Sequence, residues 1–257
     1  MLVDIERRGH VAIVYLNDEK RKNALSTVLV TDAMAAISES CKGPDPARAL
    51  VLANHGTDFC AGADIRDMLD TGWLESEPRS HGETPTPVDL FKLIDADPRP
   101  VVAAVRGLVL GGGVELATVC DLVLAAPQTT FRLPEIGLGV LPNTALARLP
   151  AIIGRRRTAE LILSRRAWSA EEAERFGFVT AIAPEEELLE RAVALAAAIV
   201  KGAPPAAIGG VKSALRTADW DSIDGILGLM NGAEWREGTS AFVQKRKPDY
   251  EDFWSKE

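Results

Sequence analysis

The sequence predicts an α/β fold, because short apolar runs of strand length alternate with segments whose apolar residues recur at helical spacing. Three observations carry this. His10 to Leu16 sets Val11, Ile13 and Tyr15 against Ala12, Val14 and Leu16, as a strand does, and Leu50-Val51-Leu52 and Val101 to Val105 are compact apolar runs. Between the first two, Ser26 is placed to cap a helix on which Val30, Met34, Ile37 and Cys41 recur. From Gly154 onward the chain is mainly helical.

The later elements follow the same signals. From Thr71 to Pro87 the chain turns polar, with Gly72, Pro78, Gly82, Pro85 and Pro87, and reads as a long loop, either a lid or a surface excursion. A helix carrying Leu90, Phe91, Leu93 and Ile94 comes next, and then the strand Val101 to Val105. After Asp121-Leu122-Val123-Leu124, helices are expected over Gly154 to Ser164, from the capping box Ser169-Ala170-Glu171-Glu172, and over Pro184 to Lys201, stopped by Gly202.

The 257 residues, 47% hydrophobic and 26% charged, suffice for one large domain with a full core. The first eight residues alternate apolar and polar, so no secretory signal is expected. The most apolar stretch, Val101 to Ala126, is broken by Arg106, Glu115, Asp121 and three consecutive glycines, which argues against a membrane span. A cytoplasmic location is the expectation. Cys41, Cys60 and Cys120 are too scattered for a disulfide framework, and with His10, His55 and His81 they show no metal-ligand spacing. A formal charge of −8 disfavours nonspecific nucleic-acid binding, since duplex affinity comes from basic groups. An anionic ligand would need a local basic cluster; Lys20-Arg21-Lys22, Arg66 and Lys245-Arg246-Lys247 are the candidates.

Two glycine-rich turns carry the chemical signal. Phe59 to Ile65 follows a strand and opens a helix at Asp64, and its small residues either serve a tight turn or let a ligand approach exposed amides. Gly107 to Ala117 passes from a strand through Gly111-Gly112-Gly113 into an apolar helix. Amides from both turns, converging on one ligand oxygen, would form a pair of donors able to stabilise negative charge developing there. Glu115, one turn into that helix among Val114, Leu116, Ala117, Val119 and Cys120, is expected to be desolvated, which raises a carboxyl pKa toward the range useful for proton transfer. Glu135 lies in the similarly apolar segment Phe131 to Pro142. Two such carboxyls facing one cleft can hold a water between them.

The segments FCAGADI, PVVAAVRGLVLGGGVELATVCDLVLAA and FRLPEIGLGVLP resemble, in order and spacing, the signature of the enoyl-CoA hydratase/isomerase (crotonase) family. Matches at Leu16-Asn17, Asn23-Ala24-Leu25, Gly154 to Arg157, Ser169 to Ala173, Glu237-Gly238 and Lys245 to Pro248 extend the resemblance over nearly the whole chain. The resemblance implies a spiral of ββα units over residues 1–200 holding the active site. Residues 201–257 would be a helical C-terminal region of the same unit, used in trimers that often stack as hexamers.

It also implies an acyl-CoA substrate and lyase chemistry of fatty acid metabolism, with no separate cofactor because coenzyme A is part of the substrate, and with no metal, nucleic-acid or membrane partner. By position, Ala63 and Gly112 look like the backbone donors to the thioester oxygen. Glu115 and Glu135 match the acids that deprotonate water and protonate the α-carbon. Ala61, Asp64, Ile65 and Arg66 fall in the substrate-binding stretch of the first turn, Arg66 where a basic residue often meets the nucleotide 3′-phosphate. Gly111, Pro134, Pro142 and Asn143 fall in that of the second and third. Lys20 to Lys22 lie near the expected adenine-binding segment.

The chain departs from the family after Pro142, where Asn143-Thr144-Ala145-Leu146 replaces a Gly-Ala-Gly-Gly-like stretch. Two readings of Asn143 are open: it caps the following helix, or it binds a polar group on an unusual acyl chain. Both acids being present favours hydration of a 2-enoyl thioester. The alternatives are a carnitinyl-CoA dehydratase-like reaction, double-bond isomerisation, carbon-carbon bond hydrolysis, or an acyl-CoA- or RNA-binding relative without turnover.

Overall fold

The computed structural model describes residues 1–43, 45–71, 84–217 and 232–254. Most of the long polar loop expected between Thr71 and Pro87, read as a lid or a surface excursion, lies outside these residues. The larger sheet has the order β1 (Val3–Arg8), β2 (Val11–Leu16), β3 (Ala49–Asn54), β4 (Val101–Val105), β6 (Leu122–Ala125), β9 (Ala181–Ile182). Only β1 runs antiparallel to its neighbour. A smaller sheet holds β5 (Leu108–Leu110), β7 (Thr130–Arg132) and β8 (Trp168–Ser169).

The central strands are apolar on both sides because both faces of the larger sheet are covered. Successive side chains of a strand point to opposite faces. Ala12, Val14, Leu16, Leu50, Leu52, Val101 and Ala103 join one core with Leu29, Val30, Ala33 and Ile37 of α1 (Thr27–Glu39) and Leu90, Phe91 and Ile94 of α3 (Pro87–Ala96). Val11, Ile13, Tyr15, Ala49, Val51, Val102 and Ala104 join the other with Leu188, Ala192, Ala196 and Val200 of α7 (Glu185–Gly202).

No single helix among the described residues is long and apolar enough to cross a bilayer. Helices α7 and α8 (Pro205–Thr217) pass that test only when taken together across a 113° bend, and the apolar side of α7 is already occupied by the sheet.

The chain winds as a spiral. Each turn gives one strand to the larger sheet, one extended segment to the smaller sheet, and then a helix: β3, the segment 60–63 and α2 (Ile65–Asp70); β4, β5 and α4 (Gly112–Thr118); β6, β7 and α5 (Asn143–Ser164). The 60–63 segment is joined laterally by bridges from Leu25 to Ala63 and from Cys60 to Val109. Beyond the spiral lie α6 (Ala170–Arg175), α9 (Ala233–Val243) and α10 (Glu251–Trp254).

The capping signals act as the sequence indicates. Ser26 accepts the Leu29 amide, Asp64 accepts those of Arg66 and Asp67, and Ser169 and Glu172 close a reciprocal capping box. Two details differ. The buried stripe of α1 is Leu29, Val30, Ala33 and Ile37, while Cys41 lies past the helix end and is exposed. Helix α5 starts at Asn143 rather than Gly154; Gly154 (φ 76°, ψ 156°) is a break inside it that L-residues rarely adopt.

Candidate active site

Successive turns of the spiral bring their helix-entry loops side by side. The Leu110 amide donates to the Cys60 carbonyl at 2.9 Å, and the Gly111 amide donates to the Arg132 carbonyl at 2.9 Å. Gly62-Ala63, Gly111-Gly112 and Pro134-Glu135 therefore become neighbours although the sequence separates them widely. The first rung is steadied by Asn23, whose side chain accepts the Asp18 amide at 2.7 Å and donates to the Asp58 carbonyl at 2.8 Å. Next to it, the Leu25 amide donates to the Gly62 carbonyl at 2.7 Å.

The two expected donors face a common space. A Cβ placed on Gly62 would lie 3.3 Å from the Gly112 nitrogen, and one on Gly112 would lie 3.3 Å from the Ala63 nitrogen. Gly111, at φ 52°, makes the sharp entry into α4, and any side chain there would meet Glu135 Oε1 at 2.8 Å. Among the described residues, neither the Ala63 nor the Gly112 N–H donates to a protein acceptor. Two unsatisfied amides converging from adjacent turns are what an oxyanion needs.

Glu115 projects from α4 among buried neighbours. Its Oε1 accepts the amides of Thr144 at 2.8 Å and Ala145 at 3.1 Å. These are the second and third residues of α5, whose N-terminal residues have no intrahelical acceptor for their N–H groups. Glu115 thus caps α5 from another helix. Burial raises its pKa above the ordinary carboxylate value, and the Ala145 and Thr144 amides work in the opposite direction by favouring the charged form.

The expectation that Asn143 caps this helix is overturned. Pro142 occupies the capping position, Asn143 is the first helical residue, and no side-chain cap bond forms at that end from within the segment. The carboxylate reaching over from α4 supplies it instead.

Glu135 begins the short 3-10 helix Glu135–Leu138, with Pro134 before it. Its Oε2 is buried and has no hydrogen-bond partner among the described residues. Burial pushes its pKa up to about 7; its own backbone N–H opposes the shift, and the negative charge of Glu115 adds to it. The two carboxyls therefore differ in kind: one has two donors on a single oxygen, and the other keeps an oxygen unpaired.

The other expected site residues fall around these rungs. Ala61 is half-buried, its amide donating to the Lys22 carbonyl at 2.9 Å. Asp64 caps α2 and faces Arg21 at 3.6 Å, while Lys22 lies 3.3 Å from Asp58, so this basic cluster flanks the first rung. Ile65 and Arg66 are exposed on the first turn of α2, and Arg66 has no ionic partner among the described residues. Pro142 is buried and Asn143 is exposed. Arg246 is engaged by Glu237 in the C-terminal region, which occupies the middle of the third basic cluster.

A cavity of about 320 Å³ opens between α3, the end of α4 and the start of α5. Its walls include Phe91, Lys92 and Asp95 of α3 and Asn143, Thr144 and Arg148 of α5. Because Thr144 also donates to Glu115, this space begins one residue from the acid. Sequence reasoning found neither the cavity nor the amides that hold Glu115. The available signal was a helix following Pro142 with no Ser, Thr or Asp in the capping position, which requires an acceptor from elsewhere.

Comparison with known proteins agrees with this geometry. The enoyl-CoA hydratase/isomerase family profile matches residues 6–253. A probable enoyl-CoA hydratase of Mycobacterium bovis is 34% identical over 96% of both chains. A crotonyl-CoA hydratase of Syntrophomonas wolfei is also 34% identical, over 96% of both. The crystal structure of an enoyl-CoA hydratase subunit from Geobacillus kaustophilus superposes with a TM-score of 0.83, at 31% identity and 98% coverage of each chain. With these matches spanning the spiral and its paired glycine turns, the chain belongs to the enoyl-CoA hydratase/isomerase family and has the crotonase fold.

Proposed function

We propose that the chain is an enoyl-CoA hydratase that reversibly adds water to a 2-enoyl-CoA thioester. The observation that carries this reading is the difference between the two carboxyls. Glu115, held by two amides that favour its charged form against the effect of burial, is suited to take a proton from water. Glu135, with a pKa near 7 and an unpaired oxygen, is suited to hold a proton and give it up.

In this scheme the Ala63 and Gly112 amides hold the thioester oxygen. Water oxygen bonds to the β-carbon as its proton passes to Glu115. The electron pair of the double bond moves toward the thioester carbonyl, whose oxygen gains negative charge between the two amides. Glu135 delivers its proton to the α-carbon as the carbonyl re-forms. Exchange of the proton gained by Glu115 and the proton lost by Glu135 with solvent resets the pair.

Lys20 to Lys22 and Arg66 supply positive charge for the phosphates of coenzyme A in an otherwise acidic chain. A homotrimer or hexamer is part of the proposal, supported by exposed apolar side chains on the C-terminal helices: Leu215 at 75%, Phe242 at 85% and Val243 at 79% exposure. The cytoplasm is the proposed location.

The test is direct. On mixing the purified protein with a panel of 2-enoyl-CoA compounds, the ultraviolet band of the conjugated thioester should fall, and it should rise with 3-hydroxyacyl-CoA compounds. Movement of the double bond without hydration would assign the isomerase reaction instead.

A further inference from the structure

The cavity beside Glu115 has an unusual lining for a space that would receive only hydrocarbon. Val88, Phe91 and Val119 supply apolar wall, but Lys92 and Asn143 stand at it from opposite helices. Among the described residues, Lys92 pairs with no carboxylate and the Asn143 side chain has no hydrogen-bond partner. The remaining charges there, Arg148 and Asp95, neutralise each other in an ion pair, and Arg216 donates to the Asp95 carbonyl at 3.1 Å. The uncompensated charge is therefore the positive one of Lys92, in a protein of net charge −8.

We propose that this cavity receives the far end of the acyl chain and that Lys92 and Asn143 bind a terminal carboxylate there, making the substrate the coenzyme A monothioester of an unsaturated dicarboxylic acid. The proposal rests on the hydratase reading for the placement of the thioester at Ala63 and Gly112. From that point the chain passes Glu115 and enters between Asn143 and Lys92. A carboxylate satisfies an ammonium and an amide N–H together. Both side chains are exposed where they line the cavity, so a plain alkyl end would gain nothing from either, and a quaternary ammonium end would meet the Lys92 charge unfavourably, which disfavours a carnitinyl-type chain. The space, about 320 Å³, lies at the small end of the range for ligand pockets and suits a short chain.

Equilibrium binding of saturated thioesters tests the proposal without requiring turnover. Glutaryl-, adipyl- and pimelyl-CoA are compared with pentanoyl-, hexanoyl- and heptanoyl-CoA by calorimetry on the full chain. The diacid thioester should bind about tenfold tighter at one or more lengths, a preference that weakens as salt rises. Lys92→Met should reduce the preference to within about twofold, Lys92→Arg should retain most of it, and Asn143→Gly should reduce it in part. Equal binding of acid and neutral thioesters at every length, or a preference that Lys92→Met leaves intact, overturns the proposal.

The same comparison on enoyl substrates separates the two readings. Preferential diacid binding with no hydration of any 2-enoyl-CoA would end the hydratase reading and leave the carboxylate site standing. Hydration at equal kcat/KM for glutaconyl-CoA and 2-pentenoyl-CoA, with no binding preference, would end the carboxylate site alone.

Discussion

The carboxylate of Glu115 accepts the backbone N–H of Thr144 at 2.8 Å, so a side chain of the proposed acid-base pair also supplies the acceptor that a helix N-terminus lacks. Stability and chemistry are linked there. The donors that fix Glu115 in place also favour its charged form, which is the form a base needs.

Glu115→Gln should lower turnover by about a hundredfold or more, because the amide side chain still offers an oxygen to Thr144 and Ala145 but cannot take a proton. Glu115→Ala should lose activity and also melt earlier, since the N–H groups of buried Ala145 and half-buried Thr144 lose their acceptor at a cost of about 1–3 kcal/mol. Kinetics and melting curves on both variants check this. A Gln variant that turns over normally would remove Glu115 from the mechanism.

Glu135→Gln should also lower turnover about a hundredfold. In the parent enzyme, kcat/KM for hydration should fall as pH rises through about 7, where Glu135 loses its proton. That limb should vanish in Glu135→Gln. In Glu115→Gln it should move to lower pH, because the charge that helps to raise the Glu135 pKa is gone. A limb that stays in place in Glu135→Gln would assign it to another group.

The same shift sets a pH dependence of stability. The folded pKa of Glu135, about 7, stands above its ordinary value of 4.5, so the folded state holds the proton more tightly than the unfolded chain. This stabilisation is complete below the ordinary value and is lost as pH rises through the folded one. Relative to the parent, Glu135→Gln should therefore gain melting temperature between about pH 5 and about pH 8, since glutamine carries no charge to bury. A difference in melting temperature that is flat across that window would mean Glu135 is better solvated than its burial indicates.

Gly112→Val should injure catalysis more than folding. Its Cβ would sit 3.3 Å from the Ala63 nitrogen and 3.2 Å from Leu25 Cδ1, a side-chain end that has room to move, while the added methyls would crowd the space where the two amides converge. The expected loss is about a hundred- to thousandfold in kcat, the size seen when one oxyanion donor is removed. An acyl-CoA complex with the thioester oxygen away from both amides would refute the assignment.

Much of this protein was legible in its sequence. Strands and most helices follow from local pattern: apolar runs at Val11 to Leu16 and Val101 to Val105, and caps at Ser26, Asp64 and Ser169 whose hydrogen bonds reach only two or three residues ahead. The glycine turns and Glu115 were legible for a similar reason, because a strand entering a helix through Gly111-Gly112-Gly113 fixes the local backbone. Only the tertiary structure decided how these pieces meet. Lateral hydrogen bonds between turns of the spiral set Ala63 beside Gly112. Glu115, rather than Asn143, caps α5, because the nearest acceptor in space came from α4. Lys92 and Asn143 line one cavity because α3 and α5 pack against the same core. Such contacts depend on the register of elements far apart in the chain, and hydrophobic period and capping residues report only on near neighbours.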